Sequence, residues 1–153
     1  MKLTLSWLRD HLDTDATVEA LAAKLSMIGL EVESIDNPGK ALSAFVVARV
    51  LESRRHPNAD KLQVAQVDTG SGVVEVVCGA PNCRAGMIGV FAPLGAYIPG
   101  TRITLDKRPV RGVVSNGMLV SERELELSDD HEGIIDLGEA HAGSIGKRYV
   151  DAL

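Results

Sequence analysis

Seven side chains that could bind phosphate are concentrated in two short stretches of the sequence. They are Arg54, Arg55, His56, Lys61, Lys107, Arg108 and Arg111. Basic side chains donate hydrogen bonds to nucleic-acid phosphates, and such contacts position a protein without reading base sequence. The first stretch therefore predicts a corner that contacts phosphate, with the second stretch as a further candidate. The alternative is a solvated turn in which Asp60 forms a local ion pair, because runs of charge are usually solvated.

Two uncharged side chains could add hydrogen bonds to such a surface. Asn82 and Ser115 could each bind a backbone or a base edge, as in proteins that recognise single strands. Asn82 could instead close its own turn, and Ser115 could cap the following loop. We keep Asn82 as a candidate RNA-binding residue and expect Ser115 to be structural.

The charge is distributed unevenly along the chain, whose formal net charge is −5. Residues 40–115 contain 10 Lys/Arg and 5 Asp/Glu, whereas residues 1–39 and 116–153 are acidic. Local potential governs the attraction of a surface to phosphate more directly than net charge does. The middle segment therefore stays compatible with a nucleic-acid partner.

Other kinds of site find little support in the sequence. Cys78 and Cys83 are spaced C-x₄-C, whereas a zinc site needs four ligands at tighter, paired spacing. We expect no metal site and predict that Cys78 is a small core residue. The run Asp129–Glu132 fits neither a calcium loop nor an acid–base pair, which argues against a hydrolase or metalloenzyme. No apolar run approaches the eighteen or so residues of a membrane span, and we expect a cytoplasmic protein without a signal peptide.

Strands must flank the basic corner if they are to position it. Phe45–Leu51 is an apolar, β-branched run that predicts a buried strand. Alternation of apolar residues from Leu62 onward predicts a second strand. Pro57 should end the first strand, and Asn58 should cap a short turn over Ala59–Lys61.

Several further short strands are predicted after this corner. They are Val73–Cys78, Ile88–Ala92, Ile103–Leu105, Val110–Val114 and Ile134–Leu137. Gly70-Ser71-Gly72 predicts a hairpin connection, and Ser121 with Glu124 has the spacing of a capping box. Many short strands with one small helical turn predict a mainly β protein with a partly open barrel of the OB type.

The first 38 residues have a different pattern. Ser6 is expected to cap a first short helix, and Thr17 a second helix that stops at Gly29. Leu30–Ile35 then alternates apolar and acidic residues, which predicts a strand with one exposed face. This segment therefore predicts a small α+β unit before the barrel.

Three motifs in order resemble the tRNA-binding OB domain that occurs in several aminoacyl-tRNA synthetases and accessory proteins. They are His56–Leu62, Val77–Asn82 and Arg111–Leu119. Three further segments are similar to the β subunit of bacterial phenylalanine–tRNA ligase: Leu5–Asp10, Leu25–Glu33 and Met118–Ile135. Asn116 departs from the pattern, because these domains often carry an acidic residue there.

The resemblance implies an arrangement and a set of partners. Residues 1–38 would be the first half of a split α+β domain, residues 39–151 a five-stranded Greek-key OB barrel, and residues 152–153 the start of a return segment. The implied partners are tRNA, an α subunit and a second β subunit of an α₂β₂ enzyme. ATP and magnesium would belong to the whole enzyme, and this stretch would contain no catalytic residue and no cofactor.

One alternative within the same fold remains open, namely a free-standing tRNA-binding or chaperone-like module that forms a homodimer. Such a module would not need residues 1–38. In either case Phe45 and Phe91 lie in apolar strands that should bury them, so little aromatic surface is left for stacking on bases. Contact with the shape and backbone of a folded RNA is the expected mode.

Overall fold

The longest strand, β1 (Val46–His56), pairs with a neighbour on each side in the computed structural model, which describes residues 1–153. Its first part is antiparallel to β4 (Ile88–Pro93), and most of its length is antiparallel to β2 (Ala59–Asp68). The register with β2 shifts between Val50 and Glu52. Such a bulge bends and twists a strand, and this bend allows β1 to curve around a barrel.

The five-stranded sheet is completed by β3 (Val73–Cys78) and β9 (Gly117–Leu119), in the order β3-β2-β1-β4-β9. Backbone and side-chain hydrogen bonds link the two edges: Asn116 N–H donates to the Glu75 carbonyl at 2.9 Å, and Val77 N–H donates to Ser115 Oγ at 3.0 Å. The sheet is therefore a nearly closed antiparallel barrel. This confirms the predicted mainly β fold of the OB type, and Ser115 is structural as predicted.

The barrel unit also contains several short helices and strands outside the five-stranded sheet. They are α3 (Pro38–Ala41), β5 (Tyr97–Ile98), β6 (Ile103–Thr104), β7 (Arg108–Val110), β8 (Val113–Ser115), a 3₁₀ helix (Glu139–Ser144) and α4 (Tyr149–Ala152). β5 pairs with β6 and β7 pairs with β8. The predicted single strand Val110–Val114 is wrong, because a turn at Arg111-Gly112 divides it between β7 and β8.

Two apolar clusters fill the unit, and β4 separates them. Its residues from Ile88 to Ala92 are all buried, because Phe91 packs in one cluster and Val90 packs in the other. Burial on both faces explains why this strand is a continuous apolar run instead of an alternating one. The predicted strands Val73–Cys78 and Ile88–Ala92 are confirmed.

Two predictions near the C-terminal end had different outcomes. Ile134–Leu137 is not a strand, because its amides bond to different neighbours: Ile135 N–H to the Val120 carbonyl and Leu137 N–H to the Ile88 carbonyl. The capping box is confirmed, since Ser121 N–H donates to Glu124 Oε2 at 2.7 Å and Glu124 N–H donates to Ser121 Oγ at 3.4 Å.

The chain divides into two units, Met1–Asn37 and Pro38–Leu153. The first contains α1 (Leu5–His11) and α2 (Val18–Met27) and no strand. The strand predicted at Leu30–Ile35 is therefore wrong, because no neighbouring strand is present to pair with it.

The ends of these two helices test the predicted caps. Thr17 caps α2 as predicted, by accepting a hydrogen bond from Ala20 N–H at 3.2 Å, and Gly29 follows the helix with φ +95°. Thr4, and not Ser6, caps α1 by accepting from Trp7 N–H. Each helix of the chain is too short or too polar to cross a lipid bilayer.

Candidate nucleic-acid interface

The basic corner is the end of a β-hairpin. β1 continues through Arg54 and Arg55 to His56, which pairs with Ala59 across the two-residue turn Pro57-Asn58. The register then jumps to Arg55 opposite Gln63, so residues 60–62 have no partner on β1 and bulge from β2. The short turn predicted over Ala59–Lys61 is thus replaced by a tight turn followed by a bulge that carries Lys61.

Arg54 and Arg55 do not lie on the same face of this hairpin. Successive side chains of a strand point to opposite faces. Arg54 forms an ion pair with Glu75, with Nη2 and Oε2 3.3 Å apart, whereas Arg55 has no ion-pair partner. The two arginines are exposed but not equivalent, and only Arg55 is left with an uncompensated charge.

His56 is 4% exposed, and both of its ring nitrogens are bonded. Asn58 N–H donates to Nδ1 at 3.0 Å, which assigns the ring proton to Nε2, and Nε2 lies 2.8 Å from the Val110 carbonyl. The imidazole therefore closes its own turn and binds the β7–β8 hairpin, and it offers no free donor to a phosphate.

The β7–β8 hairpin presents the second group of basic residues. Its turn residues, Arg111 and Gly112, have φ values of +50° and +92°, as a type I′ turn requires at both central positions. Glycine adopts this conformation readily, whereas arginine does so at a cost of roughly 1 kcal/mol or more. Asn58 Nδ2 donates to the Arg111 carbonyl at 3.0 Å, so the tips of both hairpins are bonded to each other.

We define the twin-hairpin surface as residues Arg54–Lys61 together with Asp106–Gly112. It contains 6 Lys/Arg and 2 Asp/Glu, hence a formal charge of +4. Arg108 is paired with Asp106 at 3.4 Å. The basic residues without an ion-pair partner are Arg55, Lys61, Lys107 and Arg111, and all four are exposed. The arrangement can attract and hydrogen-bond phosphate groups.

Asn82 has a structural role away from the twin-hairpin turns. Its Nδ2 donates to the Ile134 carbonyl at 2.8 Å, and its Oδ1 accepts from Ile134 N–H at 3.0 Å. Neither alternative considered from the sequence anticipated this pairing, because the partner lies 52 residues away. Asn58 was likewise missed as a link between hairpins, since its partner is 53 residues away and no local pattern marks it.

The two cysteines are buried in the barrel, at 5% exposure for Cys78 and 4% for Cys83. Cys78 is thus a core residue as predicted. The neighbouring Cys83 thiol raises the pKa of Cys78, and burial raises it further. The Cys78 thiol in turn lowers the pKa of Cys83, against the opposing effect of burial. No group of three or more His, Cys, Asp or Glu side chains is arranged to hold a metal ion.

The aromatic residues of the barrel unit are mostly inaccessible to a ligand. Phe45 and Phe91 are 0% and 4% exposed, which confirms their predicted burial, and Tyr149 is 5% exposed. Tyr97 alone is exposed, at 52%. The surface is therefore suited to charge and backbone contact more than to stacking on successive bases.

The barrel topology defines an OB-type domain, and two of its hairpins present exposed basic side chains. The chain belongs to the family described as putative tRNA binding domain, whose family model matches residues 45–144. Among solved structures, a MetRS-related protein from Pyrococcus horikoshii has a TM-score of 0.52 and 22% identity. That similarity covers 76% of this chain and 98% of the other, and it supports the fold alone.

The curated relatives are β subunits of phenylalanine–tRNA ligase. The chain is 61% identical over 140 residues to the Brucella abortus (strain 2308) protein and 60% identical over 139 residues to that of Rhodopseudomonas palustris. These matches cover 91% and 90% of this chain but only 17% of either relative. With the Cereibacter sphaeroides protein the chain shares 51% identity over 99% of its length, which is 19% of that relative.

Proposed function

We propose that this chain is a tRNA-binding part of the β subunit of a phenylalanine–tRNA ligase. Support comes from the family match and from 51–61% identity to such subunits across nearly all of the chain. In this proposal, attachment of phenylalanine to tRNA belongs to the whole cytoplasmic ligase, which uses ATP and magnesium. The chain contributes RNA contact without a catalytic residue or cofactor of its own, beside an α subunit and a second β subunit in an α₂β₂ assembly.

The proposed contact surface is the twin-hairpin surface. The observation that carries this proposal is that Arg55, Lys61, Lys107 and Arg111 are exposed and lack ion-pair partners, on two hairpins that are bonded to each other. An ion pair must be broken or shared before its cation can neutralise a phosphate, so unpaired cations bind at lower cost. We therefore rank these four residues above Arg54 and Arg108.

His56 and Asn82 receive a different assignment. Both were candidate RNA-binding residues, but their polar atoms are committed to backbone groups of Asn58, Val110 and Ile134. A buried polar group that loses its partner costs about 1–3 kcal/mol, which a single phosphate contact would not offset. We propose that both residues support the surface from within the protein.

A salt-dependent titration with tRNA tests the proposal. Each neutralised phosphate contributes a slope of roughly −0.7 to −0.9 in log K against log salt concentration. Three or so contacts should give a slope of about −2 to −3 by the same rule. A slope near zero, or no binding to tRNA at low salt, would exclude the surface as an RNA interface.

Arg55→Ala and Arg54→Ala form a matched pair for this titration. The two residues are adjacent on β1 and both exposed, but only Arg54 is paired with Glu75. Arg55→Ala should reduce the steepness of the slope by roughly 0.7–0.9, which is the contribution of one phosphate contact. Arg54→Ala should change the slope little. The loss should be similar for different tRNAs, because phosphate contacts carry no sequence information. Equal effects of the two substitutions would contradict the ranking.

We also propose that residues 1–38 are the first half of a split domain, that residues 39–151 form the barrel domain, and that a return segment starts at residue 152. The support is the exposure of large apolar side chains in the first unit, which include Trp7, Met27 and Ile28. A longer chain that extends past Leu153 should bury these side chains. Unchanged amide exchange of α1 and α2 in that longer chain would refute the split domain.

A further inference from the structure

The β7–β8 hairpin is too small to hold its own shape. Each of its strands has three residues, and even longer isolated hairpins are only marginally stable in water. Its turn also places Arg111 in the left-handed region, at φ +50°, which requires support from surrounding structure. Contacts outside the hairpin must therefore fix the position of Arg111.

Two side chains of the β1–β2 turn supply such contacts. His56 Nε2 donates to the Val110 carbonyl, and Asn58 Nδ2 donates to the Arg111 carbonyl. Both acceptors belong to the residues that form the end of β7 and its turn. A β-carbon added at Gly112 would lie 3.4 Å from Asn58 Nδ2, so this amide lies directly against the turn.

We propose that His56 and Asn58 are positioning residues that hold the β7–β8 hairpin against the β1–β2 hairpin, so that RNA meets Arg111 and Lys61 as one preorganised set of cations. This inference rests on the proposed function. An ordered cation loses less conformational entropy on binding than one on a mobile loop. Each phosphate contact retained in this way contributes about fivefold in affinity at 0.15 M salt, from the slope of about 0.8 per contact.

A double-mutant cycle distinguishes positioning from general stability. His56→Asn keeps an acceptor for Asn58 N–H, in the form of an Asx turn, but is too short to reach the Val110 carbonyl. Combined with Asn58→Ala, it removes both hydrogen bonds from the side chains of the β1–β2 turn to the β7–β8 hairpin. Arg111→Ala and Lys61→Ala are then each measured in two backgrounds, the unmodified parent chain and the His56→Asn/Asn58→Ala variant. Arg111 reports the β7–β8 hairpin, and Lys61 reports the β1–β2 hairpin.

In the parent background, Arg111→Ala and Lys61→Ala should each weaken tRNA binding about fivefold and reduce the steepness of the salt slope by roughly 0.7–0.9. In the His56→Asn/Asn58→Ala background, Arg111→Ala should lose most of its effect, because the guanidinium is no longer held in place. Lys61→Ala should keep its full effect in that background. If Arg111→Ala has the same effect in both backgrounds, the positioning role is refuted.

Asn58→Ala alone protects the test against a variant that fails to fold. Asn58 is exposed, and its side chain makes only the bond to the Arg111 carbonyl. The Asn58→Ala substitution should partly reduce the effect of Arg111→Ala on tRNA affinity and leave the effect of Lys61→Ala unchanged. Full retention of the Arg111→Ala effect would again refute the role.

A measurement without RNA separates this inference from the proposed function. Backbone ¹⁵N order parameters at Arg111 and Gly112 should fall in Asn58→Ala, whereas those at Ala65 and Val67 in the barrel strand β2 should not change. Unchanged order parameters at the turn would refute the positioning role even where tRNA binds. Absence of tRNA binding with an ordered turn in the parent would refute the proposed function and leave the docking of the hairpins supported.

Discussion

The first unit, Met1–Asn37, and the barrel unit, Pro38–Leu153, differ in what holds their secondary structure in place. Both helices of the first unit have a threonine cap, yet none of its residues is buried, and Trp7, Met27 and Ile28 are exposed. The barrel unit contains two buried apolar clusters. A cap contributes about 1 kcal/mol, and helices shorter than about 12–15 residues are marginal in isolation. Local signals therefore specify α1 and α2, but packing specifies the barrel.

The largest effect should come from a core truncation in the barrel unit. Phe45 is 0% exposed and packs in the apolar cluster that contains Val90. Phe45→Ala should lower the free energy of unfolding of the barrel by about 3–5 kcal/mol, through lost burial and the remaining cavity. Urea unfolding followed by circular dichroism measures this change.

Trp7→Ala in the first unit is the matched control. Trp7 is 53% exposed, and its ring meets that of His11 edge-on, with ring centroids 5.2 Å apart. The substitution should change the barrel's free energy of unfolding by less than about 0.5 kcal/mol. A loss comparable to that of Phe45→Ala would mean that the two units unfold together.

The second expected effect is separate unfolding of the two units. Trp7 is the only tryptophan, so its fluorescence reports the first unit alone. Its transition in urea should precede the barrel transition seen by circular dichroism, and amides of α1 and α2 should exchange long before those of β1 and β4. If the fluorescence and circular dichroism transitions coincide and the amides of both units are equally protected, the two units do not differ in stability as expected.

The same contrast explains which sequence predictions succeeded. The helix-end signals were predictable because each depends on groups only a few residues away in sequence. They are Thr17, Gly29 and the Ser121–Glu124 capping box. β4 was predictable because a strand buried on both faces is a continuous apolar run, and β3 because its four valines are typical of strands. The predicted strand Leu30–Ile35 failed since alternation shows only that a segment could pair, and not that a partner strand exists.

The sequence predicted which basic residues the candidate site contains, but not the hydrogen bonds that position them. The basic residues were visible as a local excess of charge. The roles of His56, Asn58 and Asn82 depend on backbone groups 52–54 residues away, which no spacing rule connects. The Arg111-Gly112 turn was missed because a type I′ turn usually has asparagine or aspartate before the glycine, and arginine gives no such signal.

A third, smaller effect compares capping residues between the units. Ser121→Ala removes a buried cap of the barrel unit and should cost about 1 kcal/mol, which lowers the melting temperature of the barrel by roughly 4 °C. Thr17→Ala removes an equivalent bond in α2 and should reduce helix content without a shift of that melting temperature. Differential scanning calorimetry with circular dichroism checks both. A shift caused by Thr17→Ala would show that α2 supports the barrel.

The smallest effect concerns exposed ion pairs. Lys2 and Asp36 in the first unit are 3.5 Å apart, with side chains 90% and 71% exposed. Such a pair is worth little in water, so Lys2→Ala should leave stability unchanged within error. In the barrel unit, Arg84 Nη2 lies 2.6 Å from Asp136 Oδ2 in a more enclosed setting, and Arg84→Ala should cost up to about 1 kcal/mol at pH 7.

The pH dependence of the Arg84 effect separates charge from packing. The hydrogen bond from Arg84 lowers the pKa of Asp136 below its ordinary value of 3.8, and the Gly138 amide lowers it further. A carboxyl whose pKa is lower in the folded protein stabilises the fold fully above its unfolded pKa, and this contribution is lost as the pH falls through the folded pKa. The stability difference between the parent and Arg84→Ala should therefore stay constant from pH 7 to about pH 5 and shrink below about pH 4. Because Arg84 also donates to the Asn82 carbonyl, a residual difference at low pH would measure that second bond. A difference that does not depend on pH would assign the whole effect to the Asn82 contact and none to the ion pair.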